Sequence, residues 1–330
     1  MNEALDMSRL QPPGVTEEFA AREIDDWRTY WDTQGGLDAD KVETVGCSLC
    51  GAPCPPEMLF ERERFPYRKC PNCGLIYPSP RPRQAYLESQ YLSGRFAATF
   101  HKLYLPSAPY RMATIFKERV EELITPRVPS GRILDVGCSS GHFLKVAADH
   151  GFEVHGVEPN PSMVDYATRE LGLPNIHRGT LSTVEFRPNF FDVVTLWDVL
   201  EHVEKPSAVL ELLMPILKPG GWIFAYTENI DSFNMFVTGQ YSEIITPDVH
   251  LRHYSPQTFR REFEQAGFLV ETVHTNGLDF SHIRKTFDTH VSEFPEMRWT
   301  VPQEREAEYQ VFINEIGKGD NLRLFARRGL

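Results

Sequence analysis

The sequence lacks a long hydrophobic run: no stretch approaches the ~20 apolar residues that a membrane-spanning helix needs. The first residues, MNEALDMSRLQPPG, lack the apolar core of a signal peptide, so we expect a cytoplasmic protein that does not contact a membrane. Positive charge is also scarce, because 34 lysines and arginines stand against 46 acidic residues, for a net charge of −12. Such a balance repels a phosphate backbone and disfavours nucleic acid as a partner.

Neither hydrophobic residues nor charges are depleted overall. The 330 residues are 41% hydrophobic and 24% charged, which excludes a disordered or collagen-like chain. The length fits one large domain with an appendage. No internal repeat is visible, and no feature of the sequence indicates an oligomeric state.

The cysteines are unevenly distributed, and four of the six form two C-x-x-C-G knuckles. In a reducing cytosol such clustering favours a metal over disulfides. Two knuckles present four thiolates tetrahedrally, which predicts a structural zinc site with no open position for catalysis. The predicted ligands are Cys47, Cys50, Cys70 and Cys73. Cys54 is interpreted as a bystander, and the strand-like strings MLFERERFPYRK and GLIYP complete a predicted zinc ribbon.

From residue 129 onward, short β-branched runs alternate with helical stretches. This alternation predicts an α/β fold, a Rossmann-like, doubly wound and mostly parallel sheet whose ligand lies at the carboxyl ends of the strands. The stretch 276–320 is polar and aperiodic, which predicts an insert before a last strand, NLRLFARR. Upstream, the prolines of YPSPRP predict a stiff linker. The aromatic-rich stretch 84–123 predicts helices that either cover a cleft or pack in the core.

The first strand of this region runs into a glycine loop, LDVGCSSG, which a helix follows. A sharp strand-to-helix turn lets a ligand approach the backbone at a helix N-terminus. The second strand ends in Glu158, whose carboxylate can accept both hydroxyls of a ribose. The loop has neither the G-x-G-x-x-G nor the G-K-[ST] pattern of phosphate sites, and Asp135 beside it would repel phosphates. An acid at this position suits a cationic amino-acid group, which favours S-adenosylmethionine (SAM) as the cofactor.

Over residues 132–274 the chain resembles a class I SAM-dependent methyltransferase. The resemblance rests, in matching order and spacing, on LDVGCSSG, VEPN at 157–160, FDVVTLWDVLEHV at 191–203, LKPGGWIFAYTEN at 217–229 and HLRHYSPQTFRREFEQAGF at 250–268. It implies cofactor binding by Asp135, Gly137, Cys138, Gly141, Glu158, Pro159, Thr180, Leu181, Trp197 and Asp198. Glu158 would bind the ribose, and Thr180 and Leu181 would lie beside the adenine. Cys138, which replaces a glycine common in the family, is interpreted as a small filler of the loop.

An oxygen acceptor needs a base near the sulfonium, at the end of the fourth strand or after the fifth. The candidates for this catalytic role are His202, His250, His253 and Tyr254. For each histidine a packing or helix-capping role is the alternative.

The string D-V-L-E-H, which begins at Asp198, resembles the metal motif of ubiquinone-pathway O-methyltransferases and plant small-RNA 2′-O-methyltransferases. That resemblance implies Mg²⁺ or Mn²⁺ at Asp198, Glu201 and His202, with His250 as a further ligand. The same string is widespread among methyltransferases with no known metal, so both interpretations stay open.

These observations predict a SAM-dependent methyltransferase that acts on an oxygen of a small metabolite or sugar. CPNCGLIYPSPRP also resembles the N-terminal ribbons of bacterial methyltransferases acting on such molecules. The alternatives are C- or N-methylation in nucleotide-sugar or natural-product biosynthesis and, in another class, a nucleic-acid-binding zinc-ribbon protein with a non-catalytic SAM fold. The predicted organisation is a helical extension over 1–44, with an amphipathic helix at 15–33, a zinc ribbon over 45–82, a helical cap or linker over 83–128, and the methyltransferase domain over 129–330.

Overall fold

The structure is a computed structural model that describes residues 5–10, 27–92, 102, 104–290 and 301–330. Its strands are β1 (Val42–Glu43), β2 (Phe60–Arg62), β3 (Phe65–Lys69), β4 (Ile76–Pro78), β5 (Arg81–Pro82), β6 (Arg132–Val136), β7 (Glu153–Glu158), β8 (Ile176–Arg178), β9 (Phe191–Trp197), β10 (Leu217–Glu228), β11 (Leu269–Asn276) and β12 (Asn321–Arg327). Its helices are α1 (Met7–Leu10), α2 (Gln84–Tyr91), α3 (Leu105–Arg111), α4 (His142–Asp149), α5 (Pro161–Arg169), α6 (Pro206–Ile216), α7 (Phe233–Thr238), α8 (Pro256–Gln265), α9 (Asp279–Thr289) and α10 (Gln303–Glu315). Two π-helical turns, Met112–Phe116 and Arg119–Ile124, follow α3. Among these described helices, none combines the length and the apolar character needed to cross a membrane.

Seven strands form one sheet in the order β11-β12-β10-β9-β6-β7-β8. Neighbours from β10 through β8 are parallel, whereas β12 runs antiparallel to both β10 and β11. Strands β6 and β9 are buried along most of their length, as expected for central strands covered on both faces. The sheet confirms the predicted doubly wound, mostly parallel α/β fold.

The topology creates a switch point beside β6. The chain proceeds from β6 through β7 to the sheet edge at β8, and then returns to β9 on the other side of β6. In folds of this class, ligands bind outside the carboxyl ends of the strands at that reversal. Asp135 lies near the end of β6 and Trp197 ends β9, so both are placed at the floor of a ligand site.

Two helices beside the sheet begin where the sequence supplies capping groups. The Asn160 side chain accepts a hydrogen bond from the Ser162 amide at the start of α5. Ser255 and Thr258 form a capping box at the start of α8. In both helices a proline follows the cap, and its fixed φ suits the first helical position.

The segment after β9 differs from the prediction, which had a helix follow the strand directly. Residues 198–204 form turns, and α6 begins only at Pro206. Asp198 has a φ of +54°, a conformation that residues other than glycine rarely adopt and that cannot start a right-handed helix. The side chains of this turn are therefore not arranged on one helical face.

The cysteine-rich segment folds into a small unit, here called the ribbon (residues 45–82). Strands β2, β3 and β4 form an antiparallel sheet, and β5 pairs with β1. The predicted stiff linker at its end is wrong, because this stretch contributes to β4 and β5, and Ser79 and Arg81 are buried. Prolines exclude a helix, but they are compatible with short edge strands.

One hydrophobic core extends from the ribbon into the body of the protein. Leu49 and Leu75 of the ribbon belong to the same buried cluster as Leu196 and Leu200, which lie at and after the end of β9. The ribbon is therefore packed against the end of the sheet that carries the switch point.

The aromatic-rich stretch contributes to both predicted roles. Phe116 packs edge-on against Phe143 in the core, whereas the Tyr91 hydroxyl reaches Glu158. Phe96 and Phe100 lie outside the described residues.

Two further segments bear on the predicted organisation. The stretch 276–320, predicted to be aperiodic, carries α9 and α10; Phe312 of α10 is exposed while Ile313 is buried. Most of the predicted helix at 15–33 lies outside the described residues. Within its described end, Trp27 is buried and its indole Nε1 donates to the Asp248 carboxylate (2.6 Å).

Candidate functional site

The glycine loop between β6 and α4 is shaped by three residues with positive φ, Gly137 (70°), Ser139 (49°) and Gly141 (77°). A Cβ on Gly141 would come within 2.7 Å of Leu173, so both backbone conformation and packing require glycine there. The Gly137 amide donates to the Val157 carbonyl (2.8 Å), which ties the loop to β7. The loop thus has a fixed, tight shape at the start of a helix, where a ligand can approach the backbone.

Asp135 carries a buried carboxyl group beside this loop. It is 3% exposed, and its Oδ1 accepts a hydrogen bond from the Thr195 hydroxyl (2.6 Å). Burial raises the pKa of Asp135 to about 7, and the bond from Thr195 opposes that shift. Near neutral pH this group is therefore divided between its charged and uncharged forms.

Cys138 packs inside the loop as a small filler. Its side chain is buried, and a Cβ on Gly156 of β7 would come within 2.5 Å of the sulfur. Burial raises the pKa of the Cys138 thiol well above its ordinary value, which keeps the sulfur uncharged and poorly reactive.

Glu158 ends β7 with a fully buried side chain. Its carboxylate accepts hydrogen bonds from the Ser139 amide (3.0 Å), the Asn160 amide (2.7 Å) and the Tyr91 hydroxyl (2.9 Å). The first bond fixes the carboxylate against the glycine loop, and the second ties it to the start of α5. The third comes from a side chain, so a ligand hydroxyl can replace it without disturbing the backbone.

The predicted adenine-side residues lie beside Glu158. The Gly179 amide donates to the Glu158 carbonyl (3.0 Å), and Thr180 and Leu181 directly follow Gly179 in the chain. Leu181 is buried, whereas Thr180 is exposed. Pro159 stands between Glu158 and the start of α5.

Arg119 is an unexpected member of the site. Its guanidinium lies 4.3 Å from the Trp197 ring centroid and 4.8 Å from that of Tyr226, and the residue is 7% exposed. Within the described part of the chain it forms no ion pair or hydrogen bond, so its planar set of donors is uncommitted. Nothing in its local sequence, FKERVEEL, distinguishes it from a surface arginine.

A carboxylate and two imidazoles meet at the turn after β9. One ligand atom each from Glu201, His202 and His250 lies within 4.8 Å of the others. Both carboxylate oxygens of Glu201 are buried and have no hydrogen-bond partner among the described residues. Burial raises the pKa of Glu201 well above its usual range and the Thr227 side chain opposes that rise, so a bound cation or hydroxyl would supply the partner that these oxygens lack.

The two imidazoles of this group have fixed tautomers. The His202 Nδ1 lies 3.0 Å from the Val249 carbonyl, and the His250 Nδ1 lies 2.9 Å from the Ile244 carbonyl. Because a carbonyl only accepts, each Nδ1 carries the proton and each Nε2 keeps a lone pair in the neutral ring. Burial lowers the pKa of His250 to about 4, which favours this neutral form.

Asp198 lies outside that group, although the sequence resemblance placed it with Glu201 and His202. Desolvation and then the nearby Glu228 carboxylate raise the pKa of Asp198 to about 7, while part of its surface remains open to solvent. The positive charges of Arg119 and Arg111 oppose this rise in pKa. Asp198 therefore interacts with the Arg119 guanidinium, which packs against Trp197 and Tyr226.

The structure does not bring His253 and Tyr254 into the group of Glu201. His253 is buried against the Tyr67 ring of the ribbon, with 5.5 Å between ring centroids. Tyr254 is fully buried and its hydroxyl donates to Glu262 (3.1 Å). The His253 ring also lies 6.0 Å from the His250 ring, and its Nε2 has no hydrogen-bond partner among the described residues.

The four predicted zinc ligands converge in the ribbon. One sulfur atom from each of Cys47, Cys50, Cys70 and Cys73 lies within 4.8 Å of the others, and none forms a disulfide. The distances are 3.4 Å between Cys47 and Cys73 and 3.5 Å between Cys50 and Cys70.

The two knuckles share one backbone pattern. The Gly51 amide donates to the Cys47 carbonyl and the Gly74 amide to the Cys70 carbonyl, both at 2.9 Å. Both glycines have positive φ, 71° and 83°, which explains the glycine after each C-x-x-C. Cys54 lies outside the cluster, with its sulfur 3.3 Å from the Ser79 hydroxyl.

The chain was compared with known proteins. A family model described as "Methyltransferase domain" matches residues 108–273, about half of the chain. The ubiquinone biosynthesis O-methyltransferase of Burkholderia multivorans is 30% identical over 174 residues, which cover 47% of this chain and 71% of that protein. The protein of the same name from Burkholderia pseudomallei is 27% identical over 178 residues, covering 48% and 73%. A solved SAM-dependent methyltransferase from Archaeoglobus fulgidus is 17% identical, with a TM-score of 0.45, and the match covers 74% of this chain and 100% of that one.

Proposed function

The chain belongs to the methyltransferase-domain family and is a SAM-dependent methyltransferase, and we propose that it methylates a hydroxyl oxygen of a small metabolite. The observation that carries the proposal is the Glu201 carboxylate, which is buried without a partner beside the imidazoles of His202 and His250. A hydroxyl is a weak nucleophile, so a site that can hold its proton or its developing negative charge suits this acceptor.

SAM fits the site through three groups of complementary chemistry. Asp135 offers a carboxylate to the ammonium group, Arg119 offers its free donors to the carboxylate of the methionine moiety, and Glu158 accepts from the ribose hydroxyls. When bound, SAM supplies a methyl group activated by a positively charged sulfur. Asp198, beside Arg119, is assigned to the same methionine end of the site.

The residues of the chain then have two tasks, alignment and proton removal. In-line displacement requires the acceptor oxygen, the methyl carbon and the sulfur to be collinear, so a fixed acceptor position counts for much of the rate. Because Nδ1 of His202 is held by a backbone carbonyl, its Nε2 is the nitrogen that can accept the proton of the hydroxyl, against a burial that lowers the pKa of His202 to about 3. We assign His250 to the same role as a second candidate.

The same three groups also fit a divalent cation. One carboxylate and two imidazoles are a common ligand set, and donation from Nδ1 to backbone carbonyls is the usual support of metal-binding histidines. A cation bound there would stabilise negative charge on the acceptor oxygen. Its ligands would be Glu201, His202 and His250, which is the expected set without Asp198.

The four ribbon cysteines are proposed to hold a structural zinc ion. Zinc–sulfur bonds of about 2.3 Å in a tetrahedron place the sulfur atoms about 3.8 Å apart. The distances of 3.4 and 3.5 Å in the ribbon are close to that value. With four thiolates the coordination is complete, so this ion would stabilise the ribbon and take no part in methyl transfer.

The function is tested by following the label from methyl-labelled SAM into a panel of phenols, sugars, amines and carbon acids. We expect transfer to hydroxyl compounds; loss of activity in EDTA with recovery in Mn²⁺ supports the bound cation, whereas activity retained in EDTA supports proton removal by His202. The product S-adenosylhomocysteine, at about 100 times its Kd, should raise the thermal midpoint by about 4 °C. No thermal shift at millimolar concentration would contradict SAM dependence, and labelling of amines alone would contradict O-methylation.

The affinity for S-adenosylhomocysteine should depend on the charge of Asp135. Its pKa of about 7 means that lowering the pH protonates the free site, and only the ionised form pairs with the ligand ammonium. Binding should therefore be about eightfold tighter at pH 7.5 than at pH 6, as expected for one proton released. In Asp135→Asn the affinity measured by titration calorimetry should be weak and should keep only the pH dependence that Asp198 contributes; an unchanged pH profile would contradict the assignment.

A further inference from the structure

Arg252 has the largest of the fully buried side chains, with 1% of its surface exposed. Its guanidinium donates to the Leu200 carbonyl (2.7 Å), the Glu204 carbonyl (2.9 Å) and the Val203 carbonyl. Its Nε donates to the Ser48 hydroxyl (3.2 Å). All four acceptors are neutral: three carbonyls of a backbone turn and one hydroxyl. Because the turn and Ser48 are far apart in the sequence, Arg252 joins distant segments of the chain.

One side of this junction is the ribbon. Ser48 lies between the predicted zinc ligands Cys47 and Cys50, so Arg252 contacts the knuckle itself. A second bond runs from the His253 amide to the Ile76 carbonyl of β4 (2.8 Å). The segment around Arg252 is thereby paired with the ribbon by backbone and side chain.

The other side is the turn that carries the acceptor-site residues. The three carbonyls that Arg252 contacts belong to residues 200–204, which include Glu201 and His202. The Leu251 amide donates to the Glu201 carbonyl (2.8 Å), and the His202 imidazole bonds the Val249 carbonyl. Residues 249–253 therefore hold the turn on one side and the ribbon on the other.

We propose that Arg252 is a positioning residue that fixes the turn 200–204 against the zinc knuckle, so that zinc in the ribbon sets the geometry of Glu201 and His202. The inference rests on the proposed acceptor-side role of these two residues. The ribbon then contributes to the geometry of the methyl-acceptor site, whereas the glycine loop does not depend on it.

The chemistry of arginine suits this task. Three carbonyls at the end of a tight turn leave lone pairs without backbone donors, and the planar guanidinium can satisfy several at once. Lysine or methionine cannot bridge the same set. The positive charge of Arg252 also interacts with a nearby acidic group, because it opposes the burial-driven rise in the pKa of Glu262.

The test is hydrogen exchange on the full-length, zinc-loaded protein, in zinc-depleted protein and in two variants, Arg252→Met and Ser48→Ala. The reporters are the Leu251 amide, which bonds the Glu201 carbonyl of the turn, and the Gly156 amide in β7, which bonds the Asn175 carbonyl (3.0 Å). We expect exchange at Leu251 to accelerate about tenfold or more on zinc removal and in Arg252→Met, and about fivefold in Ser48→Ala, with Gly156 unchanged in Ser48→Ala and accelerated less than Leu251 in the other two proteins. Ser48→Ala keeps every zinc ligand and guards against failure of the arginine variant to fold. Arg260→Met is the matched control, since Arg260 also donates to a carbonyl, that of Val270, away from the ribbon.

A spectroscopic measurement separates positioning from general stability. Co²⁺ added to zinc-loaded protein should give a visible absorption band from Glu201, His202 and His250, with an altered shape in Ser48→Ala at unchanged zinc content. S-adenosylhomocysteine affinity should stay within about threefold in Ser48→Ala and Arg260→Met. Failure of the wild-type protein to bind the nucleoside overturns the proposed function, whereas normal binding with Leu251 exchange insensitive to zinc and to both variants overturns the role of Arg252.

Discussion

Replacing Glu158 with glutamine should weaken S-adenosylhomocysteine binding by about 100-fold or more, the largest effect expected of any single change in the cofactor site. The carboxylate is fully buried and already accepts from two backbone amides, those of Ser139 and Asn160. An amide side chain presents one oxygen and one NH₂, so one of these donors would face another donor. Loss of the ribose bonds to a charged acceptor costs about 3 kcal/mol or more, which corresponds to the expected factor.

Glu153→Gln provides the matched control, because Glu153 begins the same strand β7 and its exposed side chain pairs with Arg132. It should bind the nucleoside normally in titration calorimetry. The companion variant Tyr91→Phe removes the side-chain donor that occupies Glu158 and should bind equally well or a few times more tightly. If Glu158→Gln folds normally by circular dichroism and binds within threefold of the wild type, the ribose assignment is wrong.

The cofactor half of the chain is predictable because its signals are local. The strand, the loop LDVGCSSG and the first turn of α4 are consecutive in the sequence. Gly137 and Gly141 occupy positions of this loop where φ is positive. Parallel strands then bring Glu158 beside that loop whatever the details of packing. The order of elements is therefore sufficient to foresee the switch point, and with it the floor of the site.

The acceptor half depends on contacts between distant segments. Arg119 and Tyr226 meet because a helix before β6 packs over the end of β10. Arg252 contacts Ser48 although 204 positions separate the two residues in the sequence. Neither arginine has a neighbouring residue that signals burial. The alternation of strands and helices predicts a helix directly after β9, whereas Asp198 has a positive φ and residues 198–204 form turns.

The two misread segments show the limit of composition. In YPSPRP the prolines exclude a helix but do not distinguish a solvated linker from short edge strands buried in a core. In α10 the apolar side chains are spread around the helix, since Phe312 is exposed and Ile313 is buried. A helix without one apolar face shows no helical periodicity of apolar residues in its sequence, so this pattern does not predict it.

Loss of zinc should have the largest effect on stability, and Cys73→Ser isolates it. Metal analysis should find one zinc per chain in the wild type and none in this variant, whose thermal midpoint should fall by about 10 °C or more. Structural zinc sites contribute on the order of 10 kcal/mol to folding, and even part of that loss produces such a shift in a chain of this length. Cys54→Ser is the matched control: it makes the same atomic change in the same ribbon, at a thiol outside the cluster. It should retain zinc and the wild-type midpoint.

The size of the effect follows from where the ribbon is packed. Leu49 and Leu75 share a buried cluster with Leu200, so a ribbon that unfolds without zinc also exposes apolar surface of the body. If the ribbon were an independent appendage, calorimetry would show a small early transition, with the main transition unchanged. Because the core is shared, we expect one transition that moves as a whole in Cys73→Ser. Two separate transitions would contradict the shared core, and zinc retained by Cys73→Ser would contradict the four-cysteine site.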